Sequence, residues 1–171
     1  MEKYIEQIQL SEIDELIKMS KESYFDTFDG TCSHEDMQDY LKTAYDKTKL
    51  LKELENPNSF FYWIVVGSKK SGYIKLNIEQ AQSDVFDPVA LEIERLYILK
   101  EFKRHGLGKL LIDFSITKAQ EFNKIFIWLG VWEHNIPALS FYSDQGFYKI
   151  GAHPFKVGDD IQTDLIYRKD L

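Results

Sequence analysis

Apolar and polar positions switch between helical and strand spacing along this chain, and the switches mark out its elements. Residues 4–9 read as a short strand leading to Ser11, a helix N-cap candidate, after which Ile13, Leu16, Ile17 and Ser20 fall at helical spacing. Ser33, with Asp36 three residues on, predicts a second helix carrying Met37, Tyr40, Leu41 and Ala44. A further short helix over 48–55 ends at Asn56-Pro57-Asn58. Residues 60–66 are dense in aromatic and β-branched side chains, as strands are, and the turn residues of 67–72 join them to 73–78 as a hairpin. The polar, acidic segment 80–88 predicts a loop before the next strand, Ala90–Ile98. A turn around Gly106 then opens a helix to Phe122, with Leu107, Leu110, Leu111, Phe114 and Phe122 on its apolar face. Residues 125–132 form a continuous apolar run, as expected for a strand covered on both faces. Pro137 and Gly146 suit the start and end of a helix over 135–145. Two strands, 147–155 and 161–168, close the chain around a turn at 156–160. The order read out is β-α-α-β-β-β-α-β-α-β-β, a mixed α/β sheet.

Composition narrows the class. The 171 residues, with 44% apolar and 15% aromatic side chains, make one domain over 1–171 with a real core. No apolar run approaches the length of a membrane helix, and the first residues lack the layout of a signal peptide. A single cysteine, Cys32, cannot form an internal disulfide, so the cytoplasm is the expected compartment. The histidines His34, His105, His134 and His153 show no metal-ligand spacing, and no metal is expected. A net charge of −7 argues against nucleic acid as a partner and is compatible with a cationic small molecule.

The run from Ile93 to Leu110 carries the first chemistry: a buried strand, a basic turn with two glycines, then an amphipathic helix. Backbone N–H groups at a helix start, helped by the helix dipole, bind anions, and a coenzyme diphosphate fits such a place. It is not a dinucleotide fingerprint, because Leu111 stands where a third glycine would follow Gly106 and Gly108. It is not a P-loop either, since Leu110 follows Lys109 and Lys103 occupies the first glycine's place. The same glycines also suit an ordinary strand-to-helix turn. Lys100, Lys103, Arg104, His105 and Lys109 nevertheless concentrate positive charge there on an acidic chain, which favours an anionic ligand.

Lys103-Arg104-His105-Gly106-Leu107-Gly108 and the stretch from Trp132-Glu133-His134-Asn135 to Gly146-Phe147 resemble signatures of the GCN5-related N-acetyltransferase (GNAT) superfamily, with lysine in place of glutamine or arginine at the first position. Leu91-Glu92-Ile93-Glu94-Arg95, the segment from Ile127 to Glu133, Gly151-Ala152-His153 and Gln162-Thr163-Asp164-Leu165 are similar to the PaiA-type polyamine acetyltransferases of that superfamily. The resemblance implies a mostly antiparallel central sheet flanked by helices, and acetyl-coenzyme A as co-substrate. It also implies a small amine or polyamine such as spermidine as acceptor, and direct transfer in a ternary complex without a nucleophile such as Cys32. By position it assigns the pantetheine arm to backbone groups of Leu96, Tyr97 and Ile98, with Asn135 adding a hydrogen bond. The diphosphate falls to Arg104, His105, Gly106, Leu107, Gly108 and Lys109. Tyr142 takes the role of general acid for the departing thiolate. Homodimerisation is left open.

The residues add their own reading. Leu91 and Ile93 share one parity and Glu92 and Glu94 the other, yet Arg95 breaks the series, so a bulge near Arg95 is expected to free backbone groups for a ligand. An alkyl ammonium must lose a proton before it attacks, and Glu94 or Glu92 is the carboxylate expected to take it, with Glu94 favoured. A surface pair of carboxylates, a core-packed Tyr142 and an Asn135 serving as N-cap are the plainer alternatives. Glu79, Asp84, Asp87, Glu92 and Glu94 together favour a polycation. Another amine (a protein N-terminus, an amino acid, an aminoglycoside) or a non-catalytic coenzyme A sensor are the rival readings.

Overall fold

The computed structural model describes residues 1–84 and 87–171. A seven-stranded sheet in the order β1-β2-β3-β4-β5-β7-β6 runs through the molecule. Its strands are β1 (Lys3–Gln7), β2 (Ser59–Val66), β3 (Lys69–Asn77), β4 (Ala90–Ile98), β5 (Phe126–Trp132), β6 (Tyr148–Val157) and β7 (Asp160–Asp170). Every neighbouring pair is antiparallel except β4 with β5. The helices are α1 (Ile13–Phe28), α2 (His34–Ala44), α3 (Lys47–Glu55), α4 (Leu107–Glu121) and α5 (Ile136–Asp144).

The two faces follow from strand alternation. Ile64, Ile74, Leu76, Leu91, Ile93, Ile127 and Leu129 pack with Leu107, Leu111 and Ile112 of α4 and Tyr142 of α5. The opposite parity, Phe61, Trp63 and Tyr73, packs with Leu16 of α1. Ile13, Tyr24, Phe28, Met37, Leu41 and Leu50 bind α1, α2 and α3 into one layer on that second side. The sheet is therefore a partition between α4/α5 and α1–α3.

Several boundaries differ from the sequence reading. The first helix does not start on a Ser11 cap. A 3₁₀ turn at Leu10–Glu12 precedes it, and the Gln9 N–H donates to Glu12 Oε2 at 2.8 Å. Asp46 caps α3, which is the short helix expected over 48–55 though the summary order omitted it. Ser33 does cap α2, its Oγ accepting from the Asp36 N–H at 3.0 Å. The hairpin turn after β2 is shorter than 67–72, because β3 already begins at Lys69. Gly72 lies inside that strand, where a Cβ would run into the Tyr97 carbonyl oxygen of β4. The segment 80–88 opens with a 3₁₀ turn at Glu79–Ala81, and its Val85 and Phe86 lie outside the described residues.

Candidate active site

The site begins with a missing set of hydrogen bonds. β4 and β5 pair only through Ala90↔Phe126, Leu91↔Ile127 and Glu92↔Trp128. Beyond that point the two strands part, while β4 stays paired with β3 and β5 stays paired with β7 as far as Trp132↔Asp164. The inner edges beyond the last pair, 93–98 on β4 and 129–132 on β5, thus face each other without a strand between them. Unpaired strand edges offer rows of N–H and C=O groups to an extended ligand.

A bulge accompanies the split. Lys75 pairs with Arg95 and Leu76 with Ile93, leaving Glu94 as the extra residue of β4. This is the bulge expected near Arg95, and it does restore the pattern: Leu91, Ile93, Leu96 and Ile98 all pack toward α4 and α5. Tyr97 consequently turns to the α1 side, where its hydroxyl donates to Asp26 Oδ2 at 2.9 Å.

The gap widens into a cleft of about 400 Å³. From β4 it is lined by Ile93, Glu94, Arg95, Leu96 and Tyr97, and from β5 by Leu129, Gly130, Val131 and Trp132. Asn135, Ala138 and Tyr142 border it from the α4/α5 side, while Tyr24, Phe28, Tyr40, Tyr45, Phe155 and Asp164 wall it on the other. Those walls are interlocked aromatics. Tyr24 stacks on Phe28 at 4.4 Å and on Tyr40 at 4.3 Å, and Phe28 meets Trp132 at 4.8 Å.

The carboxylates divide sharply. Lys75 Nζ lies 2.6 Å from Glu53 Oε1 and 2.7 Å from Glu94 Oε2, and Arg95 Nη2 lies 3.1 Å and 3.2 Å from the same two oxygens. Burial alone would raise the Glu94 carboxyl, but the charges of Arg95 and Lys75 outweigh it and hold the group below its ordinary range. Glu92 is only 2% exposed and sits outside the cleft lining, taking hydrogen bonds from Asn77 Nδ2, the Ser83 N–H and the Ser83 hydroxyl. Burial raises its carboxyl. Glu79 is paired with Lys124, Asp87 accepts from the Val89 N–H, and Asp84 stands 2.9 Å from His153 Nδ1. Of the five acidic residues read as a row for a polycation, Glu94 alone lines the cleft.

Asp164 was missed as a candidate, and it differs from all of these. It lines the cleft from β7, with Oδ2 3.4 Å from where a Cβ on Gly130 would stand. Among the described residues no hydrogen bond or ion pair engages it. Burial pushes its carboxyl up to about 6, with the Asp84 charge adding to the rise and His153 opposing it. The available signal was Gly130: a glycine inside an otherwise apolar strand marks a close approach by another group.

Tyr142 reaches the cleft from α5. It is buried at 9% exposure, its hydroxyl has no protein partner among the described residues, and burial pushes its pKa upward. It also packs against Phe147, as the core-packing alternative expects. Asn135 likewise does two things, lining the cleft while its Oδ1 accepts from the Ala138 N–H at 3.3 Å.

The basic turn ends in Gly106 at φ +78°, the N-cap of α4, with Arg104 also left-handed at φ +65°. No side chain caps the helix there, so the first N–H groups of α4 at Leu107, Gly108 and Lys109 are open to a ligand. His105 contributes its carbonyl to Lys3 Nζ at 2.8 Å, which ties the turn to β1. At Gly108 a Cβ would fall 2.9 Å from the Phe141 ring, so its absence lets α4 and α5 close up beside the gap. Among the described residues there is no cluster suited to a metal and no helix long and apolar enough to cross a membrane.

The model of the acetyltransferase (GNAT) family matches residues 14–147. An uncharacterised N-acetyltransferase of Lactobacillus delbrueckii subsp. lactis is 43% identical over 166 residues, 96% of each chain. A spermidine N(1)-acetyltransferase of Thermoplasma acidophilum is 27% identical over 169 residues, covering 96% of this chain and 95% of that one. Among solved structures, the PaiA N-acetyltransferase of Thermoplasma acidophilum in complex with coenzyme A superposes over 100% of both chains with a TM-score of 0.81 at 23% identity.

Proposed function

This chain belongs to the GNAT acetyltransferase family, and from that premise we propose that it moves the acetyl group of acetyl-coenzyme A directly onto a primary amine of a polyamine such as spermidine or spermine. The family uses acetyl-coenzyme A, which supplies an activated thioester. The residues fit it: an open strand edge for an amide-rich arm leads to a left-handed glycine turn with free N–H groups for a diphosphate. In this reading Leu96, Tyr97 and Ile98 hold the arm through their backbone, with Asn135 beside them. The turn from Arg104 through Lys109 holds the diphosphate, and its cationic side chains offset the charge.

One observation carries the acceptor side. The cleft runs through the split in the sheet, so a ligand on the α4/α5 side and one on the α1–α3 side meet between β4 and β5. The departing thiolate then leaves on the side of Tyr142, whose phenol donates a proton to it. On the other side, aromatic rings and carboxylates suit an ammonium group. Support for a polyamine comes from that wall and from the 27%-identical spermidine acetyltransferase. Glu94 has its charge shared between Lys75 and Arg95, which makes it a weak proton acceptor; its contribution is to close the ion cluster that pins the bulge. Glu92 stands behind it, enclosed by Ser83 and Asn77. Cytoplasmic location belongs to the same proposal.

A thiol-release assay with acetyl-coenzyme A tests this against spermidine, spermine, putrescine, free amino acids, peptides with free N-termini and an aminoglycoside. Spermidine and spermine should give the highest kcat/KM. A peptide or aminoglycoside preferred by tenfold or more overturns the polyamine assignment, and no release with any amine overturns the transferase reading.

A further inference from the structure

Among the described residues lining the cleft, the charged side chains are ion-paired except Asp164 and the solvent-exposed Lys49. Glu94 and Glu53 are answered by Lys75 and Arg95, and Asp26 by Tyr97 and Lys100. Asp164 has no such partner among the described residues. Its cross-strand neighbour His153 is turned to Asp84 instead, and a half-buried carboxylate left without a hydrogen bond is costly unless a ligand supplies a cation. Its surroundings fit that ligand. Trp132, its cross-strand neighbour on β5, forms an aromatic wall with Phe28 and Phe155. Aromatic faces beside a carboxylate are the chemistry of an ammonium site.

The position is equally specific. Asp164 pairs with Trp132, which packs against the α1–α3 cluster, so it lies on the α1–α3 side. It leans over Gly130, on the part of β5 that has lost its β4 partner. Tyr142 sits across the split on the other side. An amine held by Asp164 thus stands at the free edge of β5, opposite the proton donor for the leaving sulfur.

We propose that Asp164 is the group that binds the acceptor's ammonium and takes its proton, ahead of Glu94 or Glu92. The inference rests on the amine-acetylating reading above. The ammonium gives one proton to the Asp164 carboxylate, which passes it to solvent at the cleft mouth. The freed lone pair forms the C–N bond at the thioester carbonyl and the C–S bond breaks. Tyr142 protonates the departing thiolate, and the second nitrogen proton, lost as the amide forms, restores the Tyr142 phenol. The balance is an ammonium and a thioester giving an amide, a thiol and one released proton. The raised carboxyl suits this work, because a base near the operating pH transfers protons more effectively than one held far below it.

The titratable or charged groups around Asp164 are His153 on β6, Asp84 after β3 and Tyr40 on α2, with Glu94, Arg95 and Lys49 sharing the cleft. Asp164→Asn and Asp164→Glu test the assignment, with spermidine as the acceptor probe. The Asn variant should lose 100-fold or more in kcat/KM for spermidine while its Kd for coenzyme A, read by calorimetry, stays within twofold. The acid limb of the wild-type kcat/KM profile, centred near pH 6, should vanish with it. Asp164→Glu should recover at least tenfold of the loss. His153→Gln should move the limb to higher pH without removing it, since His153 pulls the Asp164 carboxyl down. An Asn variant within threefold of wild type, a limb that persists in it, or a Glu variant no better than Asn overturns the proposal. Spermidine binding to the coenzyme A-loaded protein separates this from the transferase reading. Binding that weakens tenfold or more in Asp164→Asn, in a protein that transfers nothing, keeps the ammonium site and sinks the reaction. Equal binding in both sinks the site, and no spermidine binding by wild type sinks both.

Discussion

Tyr142 and Asp164 border the same cleft from opposite sides of the sheet, and the roles proposed for them have separate signatures on substitution. Tyr142→Phe deletes a hydroxyl that no protein group engages among the described residues, so packing against Phe147 survives. The variant should lose about 100-fold in kcat, the scale of one general acid, with coenzyme Kd and Tm nearly unchanged. Steady-state kinetics beside calorimetry checks this; an unaltered kcat removes Tyr142 from the proton transfer. Asp164 also predicts a stability effect with a defined sign. Its carboxyl sits at about 6 in the fold, above the ordinary carboxylate value, so the folded state holds its proton more tightly than the unfolded chain. Stability should therefore fall as pH rises through about 4 to 6, and the penalty persists above. Asp164→Asn removes that penalty and should be more stable than wild type at pH 8, by roughly 1–3 kcal/mol or a few degrees in Tm, with the gap closing below about pH 4. Denaturant melts at the two pH values read it directly. Lower stability of the variant at pH 8 would mean that Asp164 is structurally paired.

At the scale of elements, the bulge and the glycine turn divide what the sequence could disclose from what it could not. Arg95 interrupting the parity of Leu91 and Ile93 announced the bulge, because a side-chain period of two leaves no other way to keep Leu96 and Ile98 inside. The glycine turn was legible for a similar reason, since a basic strand-to-helix turn with two glycines offers N–H groups that nothing else needs. The partners of Glu92 and Glu94 were not legible. Lys75 and Glu53 come from β3 and α3, and only the paired register and the docked helix bring them to Glu94. Sequence parity placed the two glutamates on one face without saying that one is enclosed and the other neutralised. Asp164 escaped notice because its value lies in lacking a partner, which is a property of the assembled walls. For the turn itself, Gly106→Val gives a clean prediction. A Cβ there meets nothing within 4 Å, so the effect comes chiefly from forcing a branched residue to φ +78°. That conformation costs roughly 1–2 kcal/mol for an ordinary L-residue, and the turn should relax away from the shape that presents its N–H groups. Coenzyme A affinity should fall tenfold or more, while the Tm drops by only a few degrees; calorimetry with an intact Kd would move the diphosphate elsewhere.

For the molecule as a whole, the decisive feature is that the sheet separates two helical layers everywhere except where β4 leaves β5. In the proposed reaction that opening lets α4 and α5 serve one substrate and α1–α3 the other. It also makes the free strand edges the least protected part of an otherwise paired sheet. Backbone N–H groups of β4 beyond Glu92 that point toward β5 have no strand partner, whereas those of β3 are held between β2 and β4. Coenzyme A should slow amide exchange in a peptide covering 93–98 and in one covering 104–109, and leave 69–77 almost unchanged. The first peptide reports the pantetheine arm and the second the diphosphate, so hydrogen-exchange mass spectrometry reads both ends of the ligand in one experiment. Spermidine added to the coenzyme-loaded protein should then extend protection to residues 164–166 and to α2, whose Tyr40 forms part of the aromatic wall. Coenzyme binding that protects 104–109 but not 93–98 would place the arm outside the split, and with it the thioester away from Asp164. Protection of both, followed by a spermidine footprint on the α1–α3 side, is the pattern that a reaction carried out through the sheet requires.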